Sequence, residues 1–211
     1  KKHGPIALVH FDAHTDLRED YLGEKMSHAT VIKRVTDFLG PKRVYQFGIR
    51  SGLKEEFDYS EKSQYIEKFT VSTVKNILSE LKDYPLYITV DLDVLDPSIM
   101  SGTGTPEPGG VSFNELLQAL LTLKGKNIVG ADIVELAPHY DQSGVSTAVA
   151  AKFWVTRPSA ATSAASSHTA EVSGDGNTYL PAGLLTAAAF TPRSSRYDNS
   201  AYVIEPLLSR T

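Results

Sequence analysis

Four short apolar runs constrain this chain more than any other feature. Ile6–Phe11, Val44–Ile49, Leu86–Val90 and Ile128–Val134 are rich in Val and Ile, and each stops at a charged residue, Asp12, Arg50, Asp91 and Glu135. Runs of this length and make-up read as strands buried on both faces. Ile66–Val71 reads as a short additional strand. Helical patterns lie between them, over Ser27–Leu39, Ser72–Leu81, Ser112–Leu123 and Ser143–Lys152. Gly40-Pro41 stops the first. Val74, Ile77, Leu78 and Leu81 share one face of the second, and Ser112 with Glu115 forms a capping box at the start of the third. Strand–helix alternation at this spacing predicts an α/β fold in which helices cover a parallel sheet.

Composition narrows the partners. The 211 residues carry 21 basic and 25 acidic side chains, a net charge of −4. Nucleic-acid binding needs a Lys/Arg surplus on one face, so it is not expected. There is no cysteine, which removes disulfides, zinc–thiolate sites and thiol catalysis, and fits a cytoplasmic protein. No apolar run approaches the roughly 20 residues of a membrane span. The chain opens on Lys1 rather than Met, and is read as beginning inside a longer protein. No lysine follows Lys152, and the remainder is rich in Ala, Ser and Thr. Residues 1–152 are therefore expected to form the folded unit. Residues 153–211 are expected to form a separate, low-complexity and poorly structured tail, with isolated apolar patches at Leu184–Phe190 and Tyr202–Leu208. So polar a segment has little to bury against its ordering entropy.

The chemistry is expected at strand ends, where open parallel sheets bind their ligands. The first strand runs into Asp12-Ala13-His14-Thr15-Asp16 and the third into Asp91-Leu92-Asp93, while the fourth carries Glu135. In extended chain, residues i and i+2 project to one side. Asp12 and His14, joined by Asp16, can then share a cavity with Asp91 and Asp93. A lone Asp-x-His is more often a solvated turn than a ligand pair, but the two motifs at the ends of parallel strands favour a site. Several carboxylates gathered this closely raise one another's pKa, and a divalent cation removes the conflict. Oxygen ligands with one imidazole suit Mn²⁺ or another intermediate cation better than a thiolate metal. Four carboxylates balance two dications, so a two-metal site is inferred.

The run Leu8-Val9-His10-Phe11-Asp12-Ala13-His14-Thr15-Asp16 resembles the second metal motif of the ureohydrolase (arginase/agmatinase) family. Thr89-Val90-Asp91-Leu92-Asp93-Val94-Leu95-Asp96-Pro97 resembles the third, continued by Gly102-Thr103-Gly104-Thr105-Pro106, and Asp132-Ile133-Val134-Glu135 resembles the substrate-binding glutamate motif. Phe47-Gly48-Ile49-Arg50-Ser51-Gly52 and His139-Tyr140-Asp141-Gln142-Ser143-Gly144 resemble the agmatinase branch more than arginase. The resemblance covers about residues 4–152 and implies a three-layer α/β/α fold, truncated on its N-terminal side. It implies two Mn²⁺ ions bridged by Asp12 and Asp91, with Asp16 completing one shell and His14 and Asp93 the other. It implies that Glu135 holds a small cationic guanidino substrate, supported by Thr105. Asp16 would pass a proton to the leaving amine, and His28 would shuttle protons. The implied reaction turns agmatine into putrescine and urea, a step of polyamine biosynthesis, in a homo-oligomer.

The family's first metal motif, Gly-Gly-Asp-His-Ser, has no counterpart in the sequence. One ion is therefore expected to lack its histidine, and activity is expected to be impaired. His10 reads as a packed or surface histidine rather than a substitute. With the family's N-terminal strands missing, the sheet is expected to have a bare edge beside its last strand. The acidic stretch Leu53–Lys68 reads as a solvated loop that could also face the entrance for a cationic substrate. Arginase, guanidinobutyrase and a non-catalytic metal-binding remnant remain as alternatives. A deacetylase-like zinc hydrolase ranks below them, since such sites lack a paired Asp91/Asp93 beside a Glu135.

Overall fold

The computed structural model describes residues 3–81 and 84–156, together with the backbone of 189–192 and 202–205. Five strands form a parallel sheet: β1 (Ala7–Phe11), β2 (Val44–Ile49), β3 (Tyr65–Lys68), β4 (Leu86–Asp91) and β5 (Ile128–Leu136). Their order is β3-β2-β1-β4-β5. β1 is central, and every residue of β1 and β2 is buried. That double burial is why these strands read as unbroken apolar runs rather than as alternating ones.

The two sheet faces pack differently. Val9, Phe11, Phe47, Ile88, Val90 and Ile133 face a large apolar core. Three segments cover it: a 3₁₀ turn at Ser72–Ile77 leading into α3 (Leu78–Leu81), α4 (Phe113–Thr122) and α5 (Val145–Thr156). The capping box of α4 is present, with the Ser112 amide donating to Glu115 Oε2 at 2.8 Å and the Glu115 amide to Ser112 Oγ at 3.3 Å. On the other face, Leu8 and Val44 meet Ile32, Val35 and Leu39 of α1 (Val31–Leu39) and Tyr59 of α2 (Lys54–Ser63). Helices on both faces give the three layers. Gly40 ends α1 with φ of 82°, donating its amide to Thr36 O at 2.9 Å, a backbone conformation that favours glycine.

The stretch expected to be a solvated loop is instead α2 followed by β3. Its sequence lacks an apolar stripe, and its start is fixed by tertiary contacts. Glu56 is buried, accepts the Leu53 amide at 2.6 Å through Oε2 and reaches across to the Leu17 amide at 2.9 Å through Oε1. One carboxylate thus caps α2 and ties it to the loop after β1.

Beyond β5, the sheet continues with β7 (Tyr202–Glu205) and then β6 (Ala189–Pro192), both antiparallel to their neighbours. The edge of β5 expected to be bare is therefore occupied. Of the expected tail, residues 153–156 belong to α5, while the small-residue run from Ala160 to Ala170 and the other residues outside the two added strands lie outside the described residues. No helix among the described residues is long and apolar enough to cross a membrane.

Candidate metal centre

The loop after β1 is held by the loop after β2. The Asp12 amide donates to Phe47 O at 3.1 Å, the Thr15 amide to Ser51 O at 3.1 Å, and the Arg50 amide to Ala13 O at 2.8 Å. This pairing extends the chain past β1 and aims Asp12 and His14 beyond the sheet's carboxyl edge. The β4 loop is clipped to it by a side chain, since Asp93 Oδ1 accepts the Ala13 amide at 3.0 Å. The Asp93 amide in turn donates to Asp91 Oδ1 at 2.9 Å, which caps the short turn at Leu92–Val94.

Arg50 pins the outer wall. Its guanidinium donates to Asp93 O at 2.7 Å, Glu107 O at 2.7 Å, Gly48 O at 3.1 Å and Val94 O at 3.3 Å. One side chain thereby joins the end of β2, the Asp91–Asp93 turn and the loop through Glu107. Gly48 (φ 87°) permits this approach, because a Cβ there would lie 2.5 Å from Val94 Cγ2.

Two groups of mutually close ligand atoms result, Asp12/His14/Asp93 and His10/Asp12/Asp16, each within 4.8 Å. Asp12 belongs to both. His14 Nδ1 lies 2.9 Å from Asp93 Oδ2 and 3.5 Å from Asp12 Oδ1. His10 Nε2 lies 2.8 Å from Asp12 Oδ2. Asp91 is buried beside these groups but belongs to neither. Asp16 and Glu135 both adopt left-handed backbone, with φ of 54° and 62°. For Glu135, within β5, that is a costly conformation of the kind concentrated at functional sites. A Cβ on Gly104 would lie 3.7 Å from Glu135 Oε2, so the 102–105 loop passes close to that carboxylate. The Thr105 hydroxyl donates to Asp93 Oδ2 at 3.3 Å, the same oxygen that His14 approaches. His28 is exposed at the start of a one-turn 3₁₀ segment, its ring edge-on to Tyr21 at 5.0 Å. Desolvation and the charges of His14 and Arg18 push it below its ordinary value.

The electrostatics are those of a site short of positive charge. Burial raises Asp91, and the neighbouring Asp93, Asp12 and Glu135 raise it further. Asp16 is raised by burial and then by Asp12 and Asp93, and Asp93 by burial and Asp12. Burial would raise Asp12 as well, but His10 and His14 beside it hold it well below the usual carboxylate range. His14 shows the reverse. Burial opposes its charge, yet hydrogen bonds to Asp12 and Asp93 push it up to about 11. Carboxylates forced toward protonation by one another, around an imidazole forced to stay protonated, are the groups a divalent cation would relieve. The donor set therefore fits a metal.

His10 is the site residue that the sequence reading underrated. The i, i+2 rule that puts His14 beside Asp12 applies equally to His10, but the residue lies inside an apolar run and reads as a packed or surface histidine. It is packed, and it also touches Asp12. Gln46 carries no signal and Arg50, visible only as the charge ending its strand and within the 47–52 motif, does not show its pinning role, because their partners are backbone groups and a residue on another strand.

Fold and site together define a parallel α/β protein with a candidate metal centre at its strand ends. The Arginase family profile matches residues 1–157, and the chain belongs to that family. It is 49% identical over 157 residues to the agmatinase of Bacillus anthracis, covering 72% of this chain and 54% of that protein. The crystal structure of a Clostridium difficile relative superposes with a TM-score of 0.71 at 52% identity, covering 74% and 58% of the two chains. The agmatine ureohydrolase of Thermoplasma volcanium gives 0.66 at 34% identity, covering 72% and 53%. The chain thus spans about half the length of the curated relatives it matches.

Proposed function

We propose that this chain carries most of the active site of a manganese-dependent amidinohydrolase acting on agmatine, in the cytoplasm. The carrying observation is Asp12, a buried carboxylate within ligand range of His14 and Asp93 on one side and of Asp16 on the other, in a chain similar to agmatinases. Asp12, His14, Asp16, Asp91 and Asp93 would hold the metal. Bound metal would lower the pKa of water enough for attack on a guanidinium carbon at neutral pH. The protein's own groups do the rest. Glu135 would grip the guanidinium through charge-assisted hydrogen bonds, Asp16 would deliver a proton to the departing amine, and exposed His28 would exchange protons with solvent. The unit expected to end at residue 152 would extend through α5 to Thr156, since Phe153 and Trp154 are buried in its core.

The test is urea release by the full 211-residue chain with added Mn²⁺, offered agmatine, arginine or 4-guanidinobutyrate. Release from agmatine above the other two is expected, at a rate below that of complete agmatinases. Preference for arginine would refute the substrate assignment. Absence of Mn²⁺ binding by calorimetry would refute the metal assignment.

A further inference from the structure

We propose that His10 and Gln46 form a buried relay that fixes Asp12 in position for metal binding, with His10 held as the Nε2–H tautomer and therefore acting as a positioning residue rather than a ligand. This rests on the metal-site reading above. His10 on β1 and Gln46 on β2 are direct partners in the parallel register, so their side chains leave the same face side by side. Both are buried, Gln46 completely and His10 to 3% exposure.

The proton positions follow from one carbonyl. Gln46 Nε2 lies 2.8 Å from Thr15 O and 3.1 Å from His10 Nδ1. A backbone carbonyl only accepts, so the amide must turn its NH₂ toward Thr15. The opposite amide orientation would set two oxygens against each other at that distance. The second amide hydrogen then points to His10 Nδ1, which must accept it. The ring proton is left on Nε2, where it donates to Asp12 Oδ2 at 2.8 Å. The orientation does not serve Gln46 itself, whose Oε1 is buried without a partner among the described residues.

Two consequences follow. With Nδ1 occupied by Gln46 and Nε2 carrying hydrogen, the ring has no lone pair to offer a metal, although it stands within ligand range. And Asp12 is gripped on both oxygens, by His10 on Oδ2 and by the His14 amide at 2.5 Å on Oδ1. A carboxylate shared by two ion positions is thereby denied rotation. Histidine–carboxylate partners of this kind commonly orient metal ligands.

The experiment uses the ¹⁵N-labelled full chain without metal. Long-range ¹H–¹⁵N correlation, with the His10 signals assigned by their loss in His10→Gln, should show Nδ1 bare and Nε2 protonated. Gln46→Glu, which replaces the donor by an acceptor, should move a proton onto Nδ1. Mn²⁺ titration by calorimetry should show His10→Gln, which keeps an N–H near the Nε2 position, within about threefold of the native affinity. His10→Leu should lose roughly 10- to 100-fold. A native Nδ1–H signal would overturn the proposal. So would a loss in His10→Gln as large as in His10→Leu, which would make the ring a ligand. Should His10→Leu not fold, the tautomer in the native chain and the response of Gln46→Glu decide the matter alone. If the native chain binds no Mn²⁺, the metal reading fails, while the tautomer still reports separately on the relay.

Discussion

His10 and His14 flank the same carboxylate from one strand and its loop, four residues apart, and their surroundings assign them different work. His10 sits inside the sheet, with a donor on one ring nitrogen and Asp12 on the other. His14 lies past the strand end, 25% exposed, with its Nδ1 shared between Asp12 and Asp93. The first ring is held by the neighbouring strand and the second only by the charges it touches. A strand interior can lock a tautomer because register fixes the neighbours. A strand end can exchange a proton for a metal because water and ligand reach it.

The strongest way to break the comparison is to remove what the two rings share. Asp12→Asn keeps the shape and an acceptor oxygen for His10 but lowers the charge common to both groups. Mn²⁺ affinity should fall by more than about 100-fold, beyond the usual cost of losing a residue that acts only through a ligand. Calorimetry should show both ion positions weakened together. Loss of one alone would mean that Asp12 is not shared.

A medium-sized effect separates the rings by pH. In the metal-free protein His14 is pushed up to about 11, above the roughly 6.5 of an unfolded histidine. A raised value gives stability that is fully present below the unfolded value and lost as pH rises through the folded one. Melting temperature should therefore fall from about pH 7 toward pH 10, and His14→Asn should flatten that fall. Metal must displace the same proton, so Mn²⁺ affinity should rise with pH in the native chain. A slope unchanged in His14→Asn would place the titration elsewhere.

The contrast also shows what the sequence could display. β1 and β2 were legible because burial on both faces forces an apolar run. Asp12 and His14 were legible as neighbours because the i, i+2 rule aims alternate residues together at a strand end, whereas Asp93 reaches them from the turn Leu92–Val94 and Asp91 joins neither group. α2 was not legible, because Glu56 caps it and anchors it to Leu17, and a buried glutamate in an acidic stretch looks like solvated charge. Gln46 was invisible for a related reason. Its meaning depends on standing opposite His10, and register between strands 36 residues apart is not written in either one.

The smallest expected effect concerns Thr105, which the family resemblance assigns to Glu135 and whose hydroxyl reaches Asp93 Oδ2 at 3.3 Å. That carboxylate already receives the Ala13 amide at 3.0 Å and His14 at 2.9 Å, and Thr105 is exposed. A long hydrogen bond added to a carboxylate with two better partners belongs at the low end of the usual range, about 0.5 kcal/mol. Thr105→Val should thus weaken Mn²⁺ binding by about threefold or less, with KM for agmatine unchanged. The opposite pattern, native Mn²⁺ affinity with a raised KM, would show that the hydroxyl serves Glu135 instead. In that case the His14 side of the site, like the His10 side, would owe its geometry to the sheet and its loops without help from the 102–105 segment.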